Sequence, residues 1–181
     1  MEKKIYVIRH CEAEGQSSHA QLTEKGVGQA AELAGFFGDM VINHIISSPY
    51  LRAIQSIERV AEREEVGIVV DDRLAERILS TEVLPDWLEK LKATFDDIDL
   101  KFDRGESSRE AMQRIVSVVE DIFKSDSDNT LLVTHGNLMS LLLMNYLPDF
   151  GFEQWKSLSN PDVFLLKSAN GEITIDRLWV G

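Results

Sequence analysis

Five side chains in this sequence pair chemical reactivity with positions that core formation alone does not explain: Arg9, His10, Arg52, Glu76 and His135. Arg9 and His10 follow the apolar run Ile5-Tyr6-Val7-Ile8 with no polar transition. His135 follows "TLLVT" (130–134) in the same manner, Arg52 follows "HIISS" (44–48) through the turn "PYL", and Glu76 follows "VGIVVD" (66–71) through "DRLA". Taken singly, each has an ordinary explanation: a structural histidine, a solvated arginine near a helix start, one acid among 31. Taken together, two guanidinium groups and two imidazoles at the ends of successive apolar runs describe a site for an oxyanion, either a phosphate or a carboxylate. Arginine suits both, because its planar fork donates two parallel hydrogen bonds and keeps its charge.

These residues converge only if the apolar runs are strands of one sheet. Candidate strands lie at 4–9, 44–48, 66–71, 130–134, 163–167 and 172–179. The first four are short, β-branched and apolar in successive positions, the pattern of strands covered on both faces. Helix-period segments alternate with them. Thr23 can cap a helix to about Phe37, and Ser48 followed by Pro49 signals a cap and first turn for a helix to about Glu64. Ser107 and Glu110 form a capping box ahead of the stripe Met112, Ile115, Val116, Val119, Ile122 and Phe123. The alternation implies an α/β three-layer α/β/α sandwich with a mainly parallel central sheet. In such sheets ligands bind beyond the carboxyl ends of the strands, the edge to which the first four strands deliver these five residues. Arg52 then sits in a first helical turn, where a cation opposes the helix dipole at a cost of ~0.3–1 kcal/mol that a site would explain. Residues 80–104 are less regular, with a helix near 85–95, and read as a lid or insertion within one domain spanning 1–181.

Composition narrows the partners. With 44% hydrophobic and 28% charged residues the chain is an ordinary globular protein. Its formal charge of -12 argues against nucleic acid and against an anionic membrane surface, both of which call for a basic footprint. An anionic ligand would be repelled by the overall field, so a compact basic site must overcome it. The single cysteine, Cys11, excludes an intramolecular disulfide and suits a reducing, cytoplasmic setting. Four apolar residues before Arg9 are too few for a signal peptide, and "LMSLLLMNYL" (138–147) is too short for a membrane span and reads as a buried core helix.

Six blocks in order carry a resemblance: "IRHCEAEGQ", "LTEKGVGQA" (22–30), "SSPYLRAIQS" (47–56), "LAER" (74–77), "GESSREAMQR" (105–114) and "VTHGN" (133–137). In these blocks the sequence resembles the histidine phosphatase superfamily, in its phosphoglycerate-mutase-like branch, over most of the chain to about residue 145. The resemblance implies a catalytic set of His10, Glu76 and His135: His10 as the phosphorylated nucleophile, Glu76 as the proton donor, His135 holding phosphate oxygens together with Arg9 and Arg52. Gln16 stands where the family usually has an Asn on the phosphate, and Gly136 joins the binding set through "VTHGN". Cys11 stands where the family has Gly, which places a side chain beside the nucleophile. The implied partner is a small phosphate monoester, with no metal and no cofactor. Attack by a His10 nitrogen would form a phosphohistidine, splitting one hard hydrolysis into two easier steps. Positioned cations would supply most of the catalysis, since the transferring group spreads its charge over three oxygens.

Other readings fare worse on spacing. The "HC" pair opens the H-C-x5-R loop of cysteine phosphatases, but Ser17 stands where its arginine belongs. His10, His19, His44 and His135 show none of the metallohydrolase spacings. A non-catalytic phosphate-binding module would be expected to have lost part of the five-residue set. A phosphomutase needs extra segments to keep phosphohistidine from water, and this chain is shorter than the typical glycolytic mutases; a phosphatase is the expectation. Glu82, six residues beyond Glu76, is the competing carboxylate.

Overall fold

The computed structural model of the chain describes residues 2–180. Strand β1 (Lys3–Arg9) lies between β4 (Asn129–Thr134), parallel to it, and β5 (Asp162–Ala169), antiparallel to it. Outward from β4 come β2 (His44–Ser47) and β3 (Ile68–Val70), both parallel; outward from β5 comes β6 (Glu172–Arg177), antiparallel. The six-stranded order is β3-β2-β4-β1-β5-β6, a mainly parallel sheet as the strand–helix alternation predicts.

Alternate side chains of the central strands feed two separate cores. Ile5, Val7 and Leu132 pack on one face with Ile115 and Val119 of α4 (Ser108–Lys124) and Leu138 and Leu142 of α5 (Gly136–Tyr146). Tyr6, Ile8, Leu131 and Val133 pack on the other with Leu33 of α1 (Glu24–Phe36) and Ile57 and Val60 of α2 (Leu51–Glu64). The result is the expected three-layer sandwich. The apolar run expected as a core helix is α5, in which residues 136–143 are all buried. Among the described residues no helix is long and apolar enough to cross a membrane.

Local signals place most boundaries. The Thr23 hydroxyl accepts the Gly26 N–H at 3.0 Å and starts α1. At α4 both halves of the Ser107–Glu110 capping box form, at 3.1 Å each. Two expectations need correction. α2 begins at Leu51 with Tyr50 as its cap residue, not at Ser48–Pro49; the Ser48 hydroxyl accepts the Tyr50 N–H and pairs with His135 ahead of the helix. β3 is a three-residue edge strand paired only with β2, so Val69 and Val70 are half exposed instead of covered on both faces.

Residues 80–104 contain α3 (Trp87–Asp96), with Leu91 and Thr94 buried. The segment is tied to the start of α4: Glu106 N–H donates to Ile78 C=O at 2.8 Å and Arg109 N–H to Ile98 C=O at 2.9 Å. The short helix α6 (Phe152–Lys156) leads into the turn before β5.

Candidate active site

Register brings the candidates together. Arg9 at the end of β1 is opposite Thr134 of β4 and Asp162 of β5, and the His10 N–H continues the ladder to Thr134 C=O at 3.1 Å. Because β5 runs antiparallel, its first residues, and Asn160 before them, lie at this same edge. A cleft of ≈ 150 Å³ opens there, lined by Arg9, His10, Gln16, Arg52, Glu76 and Gly136, together with Glu12 and Asn160. Glu82 is exposed and does not line it.

His10 is held at both its main chain and its ring. Asn160 Nδ2 donates to the His10 carbonyl at 2.9 Å. The ring Nδ1 contacts Cys11 C=O at 2.7 Å, so Nδ1 carries the proton and Nε2 keeps its lone pair, which faces the Arg52 Nε–H at 3.2 Å. Burial, with Arg52 and Arg9 nearby, lowers the His10 pKa to about 4 and keeps the ring neutral.

Arg52 is buried, not solvated. Its Nη1 donates to Ser17 C=O at 2.8 Å, and its guanidinium lies 4.9 Å from the Tyr50 ring centroid. Arg9 donates through Nη1 to Leu158 C=O at 3.3 Å, while its Nε is buried without a partner. That guanidinium rests directly on Gly136, where a Cβ would stand 2.9 Å from the Arg9 Cζ. The glycine in "VTHGN" is therefore the space Arg9 occupies.

His135 lies behind the cleft wall, fully buried, with its ring centroid 5.1 Å from that of His10. Its Nε2 pairs with Ser48 Oγ at 2.8 Å. Ser48 Oγ also accepts the Tyr50 N–H, and the other ring nitrogen of His135, Nδ1, is buried and unpartnered. Burial first, then the neighbouring cations, holds this ring well below the usual histidine pKa.

Glu76 sits on the N-terminus of α5. Its Oε2 accepts Asn137 N–H at 3.0 Å, and its Oε1 accepts Leu138 N–H at 2.9 Å and Arg77 N–H at 2.8 Å. Burial raises its pKa, opposed by these amides and by Arg9. Gln16 is exposed at the rim. The Cys11 side chain, beside the nucleophile in sequence, packs into the α1/α2 core, fully buried, and does not line the cleft. Its N–H donates to Ser56 Oγ, and burial pushes the thiol up to about 11. Of the other histidines, His19 is exposed and His44 opens β2 at the far edge. Sequence reasoning missed Ser48, whose serine–proline signal pointed to a cap, and Asn160, which no local pattern marks.

Fold and site together define an α/β protein whose sheet edge gathers two arginines, an uncharged imidazole and a buried carboxyl group around one cleft. The family model described as the histidine phosphatase superfamily (branch 1) matches residues 5–180, and the chain belongs to that superfamily. It is 28% identical over 171 residues to a Shigella dysenteriae protein named "Probable phosphoglycerate mutase GpmB", covering 84% of this chain and 77% of that one. Among solved structures, the mycobacterial glucosyl-3-phosphoglycerate phosphatase superposes with a TM-score of 0.78 at 22% identity, covering 98% of this chain and 97% of that one. The Bacillus anthracis phosphoglycerate mutase superposes equally, at 0.78 and 18% identity, covering 98% and 92%. Relatives of both kinds, phosphatases and mutases, thus share this fold.

Proposed function

We propose that this protein is a phosphomonoester hydrolase acting through a phosphohistidine on a small phosphorylated metabolite. The observation that carries the reading is His10: a neutral ring, its Nδ1 locked on Cys11 C=O, its Nε2 lone pair turned to Arg52 within the cleft. The His10 Nε2 attacks phosphorus as the ester P–O bond breaks, and Glu76, protonated, gives its proton to the leaving oxygen. Glu76, now a carboxylate, takes a proton from water as that water attacks the phosphohistidine. Inorganic phosphate leaves, and both side chains return to their starting states. Arg9 and Arg52 bind the equatorial oxygens, while His135, buried behind the cleft wall, backs the His10 ring at a centroid distance of 5.1 Å.

Cleft charge favours hydrolysis of a monoester over a phosphoglycerate mutase reaction. Besides Arg9 and Arg52, which the phosphoryl group would occupy, the charged residues lining the cleft are Glu12 and Glu76. A leaving group with its own carboxylate would meet Glu12, whose nearest cation, Lys25, is 3.7 Å away and largely exposed. The mutase reading rests on the 28% identity to the curated relative. The unpaired thiol of Cys11 supports a reducing, cytoplasmic setting.

Rapid quench with phosphorus-labelled substrate tests the mechanism. An acid-labile, base-stable protein adduct is expected, lost in His10→Ala together with turnover, and undiminished after exhaustive chelation of divalent metal. Wild-type turnover in His10→Ala overturns the phosphohistidine route. Phosphate shuttling within a phosphoglycerate faster than phosphate release establishes the mutase instead.

A further inference from the structure

The block "GESSREAMQR" (105–114) is part of the family motif, yet none of its side chains lines the cleft. Two of them, Glu106 and Arg114, form an ion pair at 2.5 Å with about four-fifths of each side chain buried. We infer that Arg114, oriented by Glu106, is the positioning residue for Glu76, an inference that rests on the acid–base role proposed above.

Glu76 lies outside any helix or strand, so its main chain has no ladder to hold it. Arg114 on α4 replaces that ladder. Its Nη1 donates to the carbonyls of Arg73 and Ala75, each at 2.7 Å, and its Nη2 donates to that of Glu76 at 3.3 Å. The carbonyl between them, Leu74, accepts the Thr134 hydroxyl at 2.9 Å. Four consecutive carbonyls, three before Glu76 and its own, are thereby fixed to α4 and β4. On the other side of Glu76 the anchor is Glu106. Its Oε1 accepts Ile78 N–H at 3.0 Å, and its carbonyl accepts Arg77 Nη2 at 2.9 Å. Glu106 also pairs with one edge of the Arg114 fork, accepting from Nε at Oε2 (3.1 Å) and from Nη2 at Oε1 (2.5 Å). One guanidinium thus joins the segment before Glu76 to the residue that holds the segment after it.

Guanidinium geometry is required here, because several divergent donors in one plane reach three carbonyls and a carboxylate at once. The ammonium of lysine, a compact point charge on a flexible stem, cannot span them. Proton donation to a leaving oxygen depends on placement, and a misplacement of about 1 Å costs ~10²-fold. The effect of Arg114 should therefore follow the need for a proton, not the need for phosphate binding.

The experiment compares Arg114→Met, Arg114→Lys, Glu106→Gln, Glu76→Gln and the double variant Arg114→Met/Glu76→Gln, each verified folded by near-ultraviolet dichroism. Single-turnover rates are read on an alkyl phosphate, whose leaving group needs a proton, and on p-nitrophenyl phosphate, whose leaving group hardly does. Arg114→Met should slow the alkyl ester ~10–10²-fold with KM changed less than ~3-fold, and the aryl ester less than ~3-fold. Arg114→Lys should recover only part of the loss, and the double variant should be no slower than Glu76→Gln alone. Equal slowing of both esters by Arg114→Met, or a double variant slowed by the product of the single factors, overturns the positioning role. If Glu76→Gln itself slows both esters alike, the acid assignment fails, while additivity or its absence still decides whether Arg114 works through Glu76. Should Arg114→Met not fold, Glu106→Gln and Arg114→Lys combined with Glu76→Gln carry the same comparison.

Discussion

At the scale of single residues the site depends on where carbon is missing as much as on where charge is present. The Arg9 guanidinium lies against the Cα of Gly136, so any β-carbon there pushes it away from the cleft. Gly136→Ala should lower kcat/KM by ~10²-fold, the cost of moving a positioned group by about an ångström, with the protein still folded. Steady-state kinetics beside a thermal melt checks this; an active Gly136→Ala enzyme means that Arg9 does not hold phosphate from its present position. Cys11 shows the opposite case. It follows His10 directly, yet adjacent residues at a strand end face opposite sides, and the thiol is part of the core.

At the scale of elements, helix termini organise the chemistry. The first turn of α5 turns its Asn137 and Leu138 N–H groups toward Glu76, satisfying donors that a helix start leaves unpaired. α2 tolerates Arg52 in its first turn because the guanidinium bends away to Ser17 C=O and the Tyr50 ring. α4 carries Arg114, and its start is set by the Ser107–Glu110 capping box. Removing the cap by Ser107→Ala should destabilise the protein by about 1 kcal/mol. For a chain of this size that corresponds to ~2–4 °C in Tm. Turnover of a phosphate ester below the melting range should stay near wild type, since the remaining turns of α4 still present Arg114. Calorimetry and an activity assay on the same sample measure both; an unchanged Tm would mean that the box contributes nothing.

At the scale of the whole molecule, buried imidazoles make stability depend on mild acid. Burial lowers His10 from 6.5 to about 4, and also lowers His135 and His44. Between those values the unfolded chain binds protons that the folded one refuses, so stability present above 6.5 is lost as pH falls toward 4. Glu76 works in the other direction, because burial raises its pKa and protonation relieves it, but it is one group against three. Asp71 and Glu110, lowered mainly by hydrogen bonds from Arg73 and Lys101, add their own loss only toward the ordinary carboxylate range and below. Tm should therefore fall from pH 7 to pH 5, and the fall should shrink in His10→Gln, which has no imidazole to protonate in the unfolded chain. Melts across that range decide it. An identical fall in wild type and His10→Gln would mean that His10 is not protonated differently in the two states.

The sequence by itself determined what short-range physics dictates. Alternation of apolar strands with 3.6-period helices requires a layered sheet, and Thr23 and the Ser107–Glu110 pair mark helix starts through bonds spanning three residues. It also indicated that Arg9, His10, Arg52, Glu76 and His135 gather at one edge, because parallel strands in one sheet send their carboxyl ends the same way; the first four line the cleft, and packing set His135 behind its wall. Tertiary structure alone decided the partners across long separations. Ser48 reaches His135 across 87 residues, and Asn160 reaches the His10 carbonyl across 150. Arg114 reaches back 41 residues to Arg73. The same packing made β3 an edge, turned Cys11 inward and put Arg9 on Gly136. Such contacts depend on how the layers stack, and no window of neighbouring residues contains that stacking, because each side chain's environment is supplied by elements far away in the chain.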